Sequence, residues 1–341
     1  MKFFNVAFSL LLFFSGVSCA QEQQFAALGD FRLESGETIR DCRIGYRTYG
    51  RLNADKSNAV LITTWAGGNT EQLKYWIAPG GLIDPAKYFV IAIDALGNGV
   101  SSSPSNSKLQ PRMRFPRFTL RDTVNTQHEL LTKVLKINHL RAIMGVSMGG
   151  MQTFQWLVSY PDFADKAIPI VASPQLAPYD LVHWQTQIDA IMNDAGWMGG
   201  DYAKNPARGV NYGFGVILLT TPENFNAKTT RQKALEEIAK AKAETAGFDA
   251  NDKIRQTQAM MTLDITEKFG GSWERTAQAI KAKVFVIVAR YDYTVTPQPA
   301  LKLAKLLNAK TLVLEGDCGH LAPSCESQKV NPLIAEFLAA Q

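Results

Sequence analysis

Histidine is scarce in this chain, with four residues in 341. Chemistry that needs an imidazole base must draw on His128, His139, His183 or His320. Cysteine is equally scarce, and the four present lack the spacing of a metal site. There is no block of lysine and arginine and no interleaving of basic with aromatic residues. The net charge of +5 is small for the length, so a nucleic-acid partner is not expected. No internal repeat and no low-complexity linker divides the chain. Beyond the N-terminus, no apolar stretch is long enough to span a membrane. What is present is a 46% hydrophobic composition, enough for one large domain or a domain carrying an insertion.

The chain opens with Met1-Lys2, an apolar run over residues 3–17, and Ser18-Cys19-Ala20-Gln21. This reads as a signal peptide over residues 1–20, cut after Ala20, and predicts an exported protein, periplasmic or secreted. A lipoprotein cut before Cys19 is the alternative, but Gly16 stands where that signal wants a branched apolar residue. The run is shorter than the ~20 residues of a spanning helix. Export leaves Cys42, Cys318 and Cys325. In an oxidising compartment Cys318 and Cys325 would bridge across His320; three reduced, buried thiols are the competing reading.

Short alternating segments over 25–52 predict an antiparallel pair at a sheet edge. Continuous apolar runs at 58–64, 88–94 and 166–172 predict strands buried on both faces, and further strands are expected at 141–146, at 283–289 and, last, at 310–314. Helical periodicity over 121–135 places Val124, Leu130, Leu131, Val134 and Leu135 on one face. Further helices are expected at 299–307 and 332–340. Residues 175–280 lack a buried-strand pattern, carry helical stretches at 181–195 and 230–246, and are rich in Trp, Met and Tyr. They are the expected helical lid, inserted between core segments 21–174 and 281–341. The alternation predicts an α/β fold: a mostly parallel sheet with helices on both faces. Catalytic groups then belong on loops at the carboxyl ends of the strands.

One such loop holds Gly145-x-Ser147-x-Gly149, with apolar residues before it and a helix-like run after it. This is the spacing of a nucleophile elbow. The glycines leave room for a tight strand-to-helix turn that lifts the Ser147 hydroxyl clear of the sheet. The same turn aims the Met148 N–H at a developing oxyanion. A serine nucleophile needs a base, and the base needs an orienting acid. In this architecture their order is Ser, Asp, His. Only His320, in the loop after the last strand, has the right placement. Asp292 follows the preceding strand. Asp317 is nearer to His320 in sequence but shares its loop and would struggle to reach the correct ring nitrogen. A second oxyanion donor is expected after the 58–64 strand, from Ala66 first and Trp65 second.

With these residues in view the chain resembles the homoserine O-acetyltransferase group of α/β-hydrolases. The resemblance rests on Leu33-Glu34-Ser35-Gly36, Tyr46-Arg47-Thr48-Tyr49-Gly50-Arg51-Leu52-Asn53, Asn58-Ala59-Val60-Leu61 and Tyr88-Phe89-Val90-Ile91. It continues through Phe115-Pro116-Arg117-Phe118-Thr119-Leu120-Arg121-Asp122, Ser147-Met148-Gly149-Gly150-Met151-Gln152 and Trp197-Met198-Gly199-Gly200-Asp201-Tyr202. It implies the α/β-hydrolase fold, the same three catalytic residues, backbone donors at Met148 and Ala66, a helical lid and often a homodimer through that lid.

Three departures set this chain apart. Leu321 follows the histidine where the transferases carry an aspartate for the amino group of homoserine. Phe214 stands where they carry a lid arginine for its carboxylate. Their donor, acetyl-CoA, is cytoplasmic, whereas this chain begins with a leader. Together these predict an exported serine hydrolase that cleaves a carboxylic ester or a related acyl bond of a small molecule through an acyl-serine. No metal or organic cofactor is expected, and Trp65, Phe214, Tyr202 and Leu321 are expected around the pocket. An O-acyltransferase and a non-catalytic binding protein of the same fold are the alternatives.

Overall fold

The computed structural model describes residues 22–206, 209–243 and 247–340, of which 209–212 are described by their backbone alone. The expected leader, with Cys19 and Ala20, lies outside the described residues.

Eight strands form one sheet: β1 (Gln24–Arg32), β2 (Thr38–Tyr49), β3 (Ala59–Thr63), β4 (Phe89–Ile93), β5 (Leu140–Val146), β6 (Ala164–Ile170), β7 (Lys283–Ala289) and β8 (Lys310–Leu314). Their order is β1-β2-β4-β3-β5-β6-β7-β8. β1 and β2 are antiparallel to their neighbours at one edge, and every pairing from β4 to β8 is parallel. The apolar runs become central strands because both faces are covered. Along β7, Val284, Val286 and Val288 join the cluster that holds Phe154 and Trp156, whereas Phe285 and Ile287 pack with Ile334 and Leu338. Each such side chain contributes roughly 1.5–3 kcal/mol by leaving water.

Three segments differ from expectation. The helix at 121–135 is α-helical over Leu120–Glu129 and then takes a π turn at Leu130–Val134, closed by Leu135 N–H to Leu130 O at 3.0 Å. The extra residue turns the face, so Leu130 and Leu131 are buried while Val134 is 41% exposed. The last helix, Ser327–Ala339, starts ahead of Pro332 and carries that proline inside.

The third difference is the end of the insertion. Gln175 and Asp264 form an isolated bridge, and Ile265 N–H donates to Pro174 O at 3.1 Å. The insertion is therefore closed at its base by residue 265 rather than 280. The following helix, Trp273–Ala279, leans on Gln298–Leu307, with Lys302 Nζ 4.5 Å above the Trp273 ring. Within the insertion, helix Ala250–Met261 is anchored to the core. Asp252 accepts from Ser105 N–H, and Arg255 donates to the carbonyls of Phe115 and Met113.

Candidate active site

β5 ends at Val146, and helix Met148–Ser159 begins two residues later. Ser147 sits between them at φ 57°, ψ −124°, a region that L-residues avoid. The turn is this tight because Gly145 and Gly149 touch. A Cβ on Gly145 would collide with the Gly149 backbone, and one on Gly149 would collide with Thr63 O. Ser147 N–H donates to Ile170 O at 2.9 Å and pins the elbow to β6.

Three loops converge at this end of the sheet. His320 Nε2 lies 2.9 Å from Ser147 Oγ, and His320 Nδ1 lies 2.7 Å from Asp292 Oδ2. A carboxylate beside Nδ1 calls for the proton on that nitrogen, which leaves the Nε2 lone pair to accept from the serine hydroxyl. The other Asp292 oxygen accepts the N–H groups of Thr294 and Val295, each at 2.9 Å, so the acid is held from both sides. Ser147, His320 and Asp292 are all buried, at 9%, 7% and 2% exposure. Asp317 points elsewhere and accepts from Asn224 Nδ2.

The other histidines have structural partners. His128 stacks on Tyr160 with ring centroids 3.8 Å apart, and His139 Nε2 lies 2.9 Å from Asp165. His183 Nε2–H donates to Thr294 O at 3.0 Å, so it braces the acid loop from the lid. Burial holds its pKa below the usual histidine range. Cys318 and Cys325 form a disulfide across the His320 loop, and Cys42 is a buried free thiol.

Met148 opens the elbow helix, so its N–H has no acceptor one turn back. Ala66 follows β3 and lines a cavity of about 1110 Å³ that reaches Ser147 and His320. Trp65, Phe214 and Leu321 also line it, together with Trp76, Trp184 and Phe248. Tyr202, expected at the pocket, is not among the lining residues. It packs beside the small cluster of Ile188, Trp197 and Ile254, and its hydroxyl accepts from Asn251 N–H at 3.2 Å. Its aromatic neighbours in the sequence pointed to the lid, but whether it faces cavity or core depended on helix packing.

Sequence reasoning missed the lid's grip on the catalytic loops. Asp180 accepts from Thr296 N–H, Thr221 Oγ donates to Asp317 O at 2.6 Å, and Gln256 accepts from Gly67 N–H at 2.8 Å. No local pattern announces such bonds, because each joins residues far apart in the chain.

The α/β hydrolase fold family model matches residues 60–324. An ethyl acetate hydrolase of Pseudomonas veronii is 32% identical over 86% of this chain and 88% of its own length. A homoserine O-acetyltransferase of Chlorobium chlorochromatii is 30% identical over 90% of this chain and 92% of its own. The solved structure of the acetyl esterase MekB superposes with a TM-score of 0.87 at 27% identity, covering 94% of this chain and 97% of that one. With these relatives, the chain belongs to the homoserine O-acetyltransferase-like family of α/β-hydrolase-fold enzymes, which holds both ester hydrolases and acyltransferases.

Proposed function

We propose that the chain is an exported serine hydrolase that cleaves a carboxylic ester through an acyl-serine intermediate. The observation that carries this is the unbroken chain of hydrogen bonds from Ser147 through His320 to Asp292, opening on a cavity lined largely by apolar side chains. Ser147 Oγ attacks the ester carbon as its proton passes to His320 Nε2, and Asp292 steadies the resulting imidazolium. The carbonyl oxygen takes up negative charge beside the N–H groups of Met148 and Ala66. The ester C–O bond breaks, and the alcohol leaves with the proton from His320. Water then loses a proton to His320, attacks the acyl carbon and releases the acid, and the proton returns to Ser147.

Water is favoured as acceptor by Leu321 and Phe214. Both line the cavity, and neither can hold an ammonium or a carboxylate. Relatives named as ester hydrolases support the reading. Export is supported by the composition of the leader and is consistent with the Cys318–Cys325 pairing. Transfer to an amino-alcohol is the second reading, favoured by relatives named homoserine O-acetyltransferase.

A product-partition assay on protein lacking residues 1–20 separates the two. A short-chain aryl ester is supplied with and without homoserine, with Ser147→Ala alongside. Free acid at equal rates in both mixtures, lost in the variant, is the expected result. Acylated homoserine formed at the expense of free acid would overturn it in favour of transfer.

A further inference from the structure

The loop after β3 turns at Trp65-Ala66-Gly67-Gly68, closed by Gly68 N–H to Trp65 O at 3.0 Å. Gly67 has φ +70°, the conformation that the third position of such a turn requires of glycine. A turn of this kind makes no internal bond with its two corner N–H groups, here Ala66 and Gly67. Their direction decides which of them can serve an oxyanion.

Two glutamines set that direction. Gln152, on the elbow helix, is fully buried; its Nε2 donates to Thr64 O at 3.0 Å and to Met148 O at 3.1 Å. Gln127 Nε2 donates to Gln152 Oε1 at 2.5 Å, and Trp156 Nε1 donates to Gln127 Oε1 at 2.8 Å, so the Gln152 amide cannot turn over. This fixes the start of the loop against the elbow. Gln256, on helix Ala250–Met261 of the insertion, is 1% exposed. Its Oε1 accepts the Gly67 N–H at 2.8 Å, and its Nε2 donates to Leu96 O at 2.9 Å, in the loop after β4. Gln256 thus occupies one corner N–H. The other, on Ala66, has no hydrogen-bond partner among the described residues and belongs to the wall of the cavity that holds Ser147.

We infer that Gln256 is a positioning residue for the oxyanion site: by holding the Gly67 N–H from the lid side it turns the Ala66 N–H toward the reacting carbonyl. The inference rests on the acyl-serine reading. It makes the lid part of the catalytic geometry, because the group that sets the second oxyanion donor belongs to the insertion. Without the amide, the half-buried Gly67 N–H and the buried Leu96 carbonyl lose their partners, and the turn is free to rotate. An oxyanion donor that is misdirected by even a fraction of an ångström loses most of its value in the transition state and little in the ground state.

The test compares wild type with Gln256→Met, similar in volume but unable to make either bond. Active sites are first counted by burst labelling with an aryl phosphonate. Turnover of an aryl acetate per labelled site, KM, and affinity for a trifluoromethyl ketone, whose hemiketal carries an oxyanion, are then measured. The expected result is a fall in kcat per labelled site on the order of 10–100-fold, a parallel loss of ketone affinity, and a KM within about threefold. A merely structural role would lower the number of labelled sites and leave kcat per site and ketone affinity unchanged; that outcome overturns the inference. If Gln256→Met does not fold, Gln256→Asn, too short to span both partners, is judged by the same split. Failure of the wild-type protein to label at all would instead sink the acyl-serine reading on which the inference stands.

Discussion

Asp180, in the first turn of helix Pro178–Met192, accepts the Thr296 N–H at 3.1 Å and so ties the lid to the loop that carries Asp292. Thr296 Oγ donates to the same carboxyl group, and Ala177 N–H closes the start of the helix onto it. The residue is completely buried. Burial, opposed by these hydrogen bonds and reinforced by the nearby Asp292, pushes its pKa up to about 6.

A carboxyl whose pKa rises on folding favours the folded state while it is protonated. That contribution is whole below the unfolded value near 3.8 and is lost as pH rises through about 6. Its upper bound is about 3 kcal/mol. Asp180→Asn, which cannot ionise, is therefore expected to gain stability relative to wild type between pH 4 and pH 7. Urea unfolding at both pH values measures this; a difference that stays constant across the interval would contradict the origin given for the shift.

Asp292→Asn keeps the shape of the acid but offers an N–H to a ring nitrogen that must itself donate. The imidazole then carries its proton on the nitrogen facing Ser147. Turnover is expected to fall on the order of 10⁴-fold with little change in folding. Steady-state kinetics together with thermal unfolding distinguish this from simple loss of structure.

Ser147 holds a backbone conformation that costs roughly 1–3 kcal/mol for any residue with a Cβ. Ser147→Ala retains that cost, and Ser147→Gly removes it. Both are expected to be inactive, with the glycine variant more stable by about 1–2 kcal/mol. Thermal unfolding of the pair is the measurement, and equal midpoints would show that the elbow stores no strain.

The Cys318–Cys325 bridge closes a short loop around His320. Chain entropy alone assigns such a loop roughly 2–3 kcal/mol. Replacing both cysteines by serine should lower stability by about that amount, and a reductant should do the same to wild type and nothing to the variant. Intact mass with and without reductant shows whether the bridge is present.

Leu321 lines the cavity beside His320 and is 46% exposed. Leu321→Asp supplies a carboxylate that could pair with an ammonium there. In the ester and homoserine mixture, the ratio of acylated homoserine to free acid is expected to rise on the order of tenfold, the value of about 1.4 kcal/mol of charge pairing. An unchanged ratio would mean that Leu321 does not face the acceptor.

The strands were legible because a strand buried on both faces has little choice of composition. The segment 283–289 coincides with β7, buried at every residue after Lys283, whereas β8 at 310–314 is an edge strand, exposed at Lys310 and Thr311, and was legible from its place in the strand–helix alternation. The positions of Ser147, Asp292 and His320 were legible for a related reason: each follows the end of a parallel strand. Val134 was misplaced because a single π turn leaves no trace in composition. Pro332 misled because proline more often opens a helix than lies within one. The boundary near residue 265 and the grip of Asp180 and Gln256 were hidden because they depend on bonds between distant segments. Gln152 stood in a quoted motif, yet its bond to Thr64 O could not be read from spacing.

The insertion touches the acid loop at Asp180 and His183, the histidine loop at Thr221 and Asn224, and the oxyanion loop at Gln256. Between these fixed points its described residues, among them Trp184, Phe214 and Phe248, line the cavity, while Ser147, Asp292 and His320 all stand on the sheet's own loops. The enzyme is in this sense built as a chassis and a bay. A change in a segment between the anchors would reshape the cavity and leave the five anchoring side chains, and the loops they hold, in place.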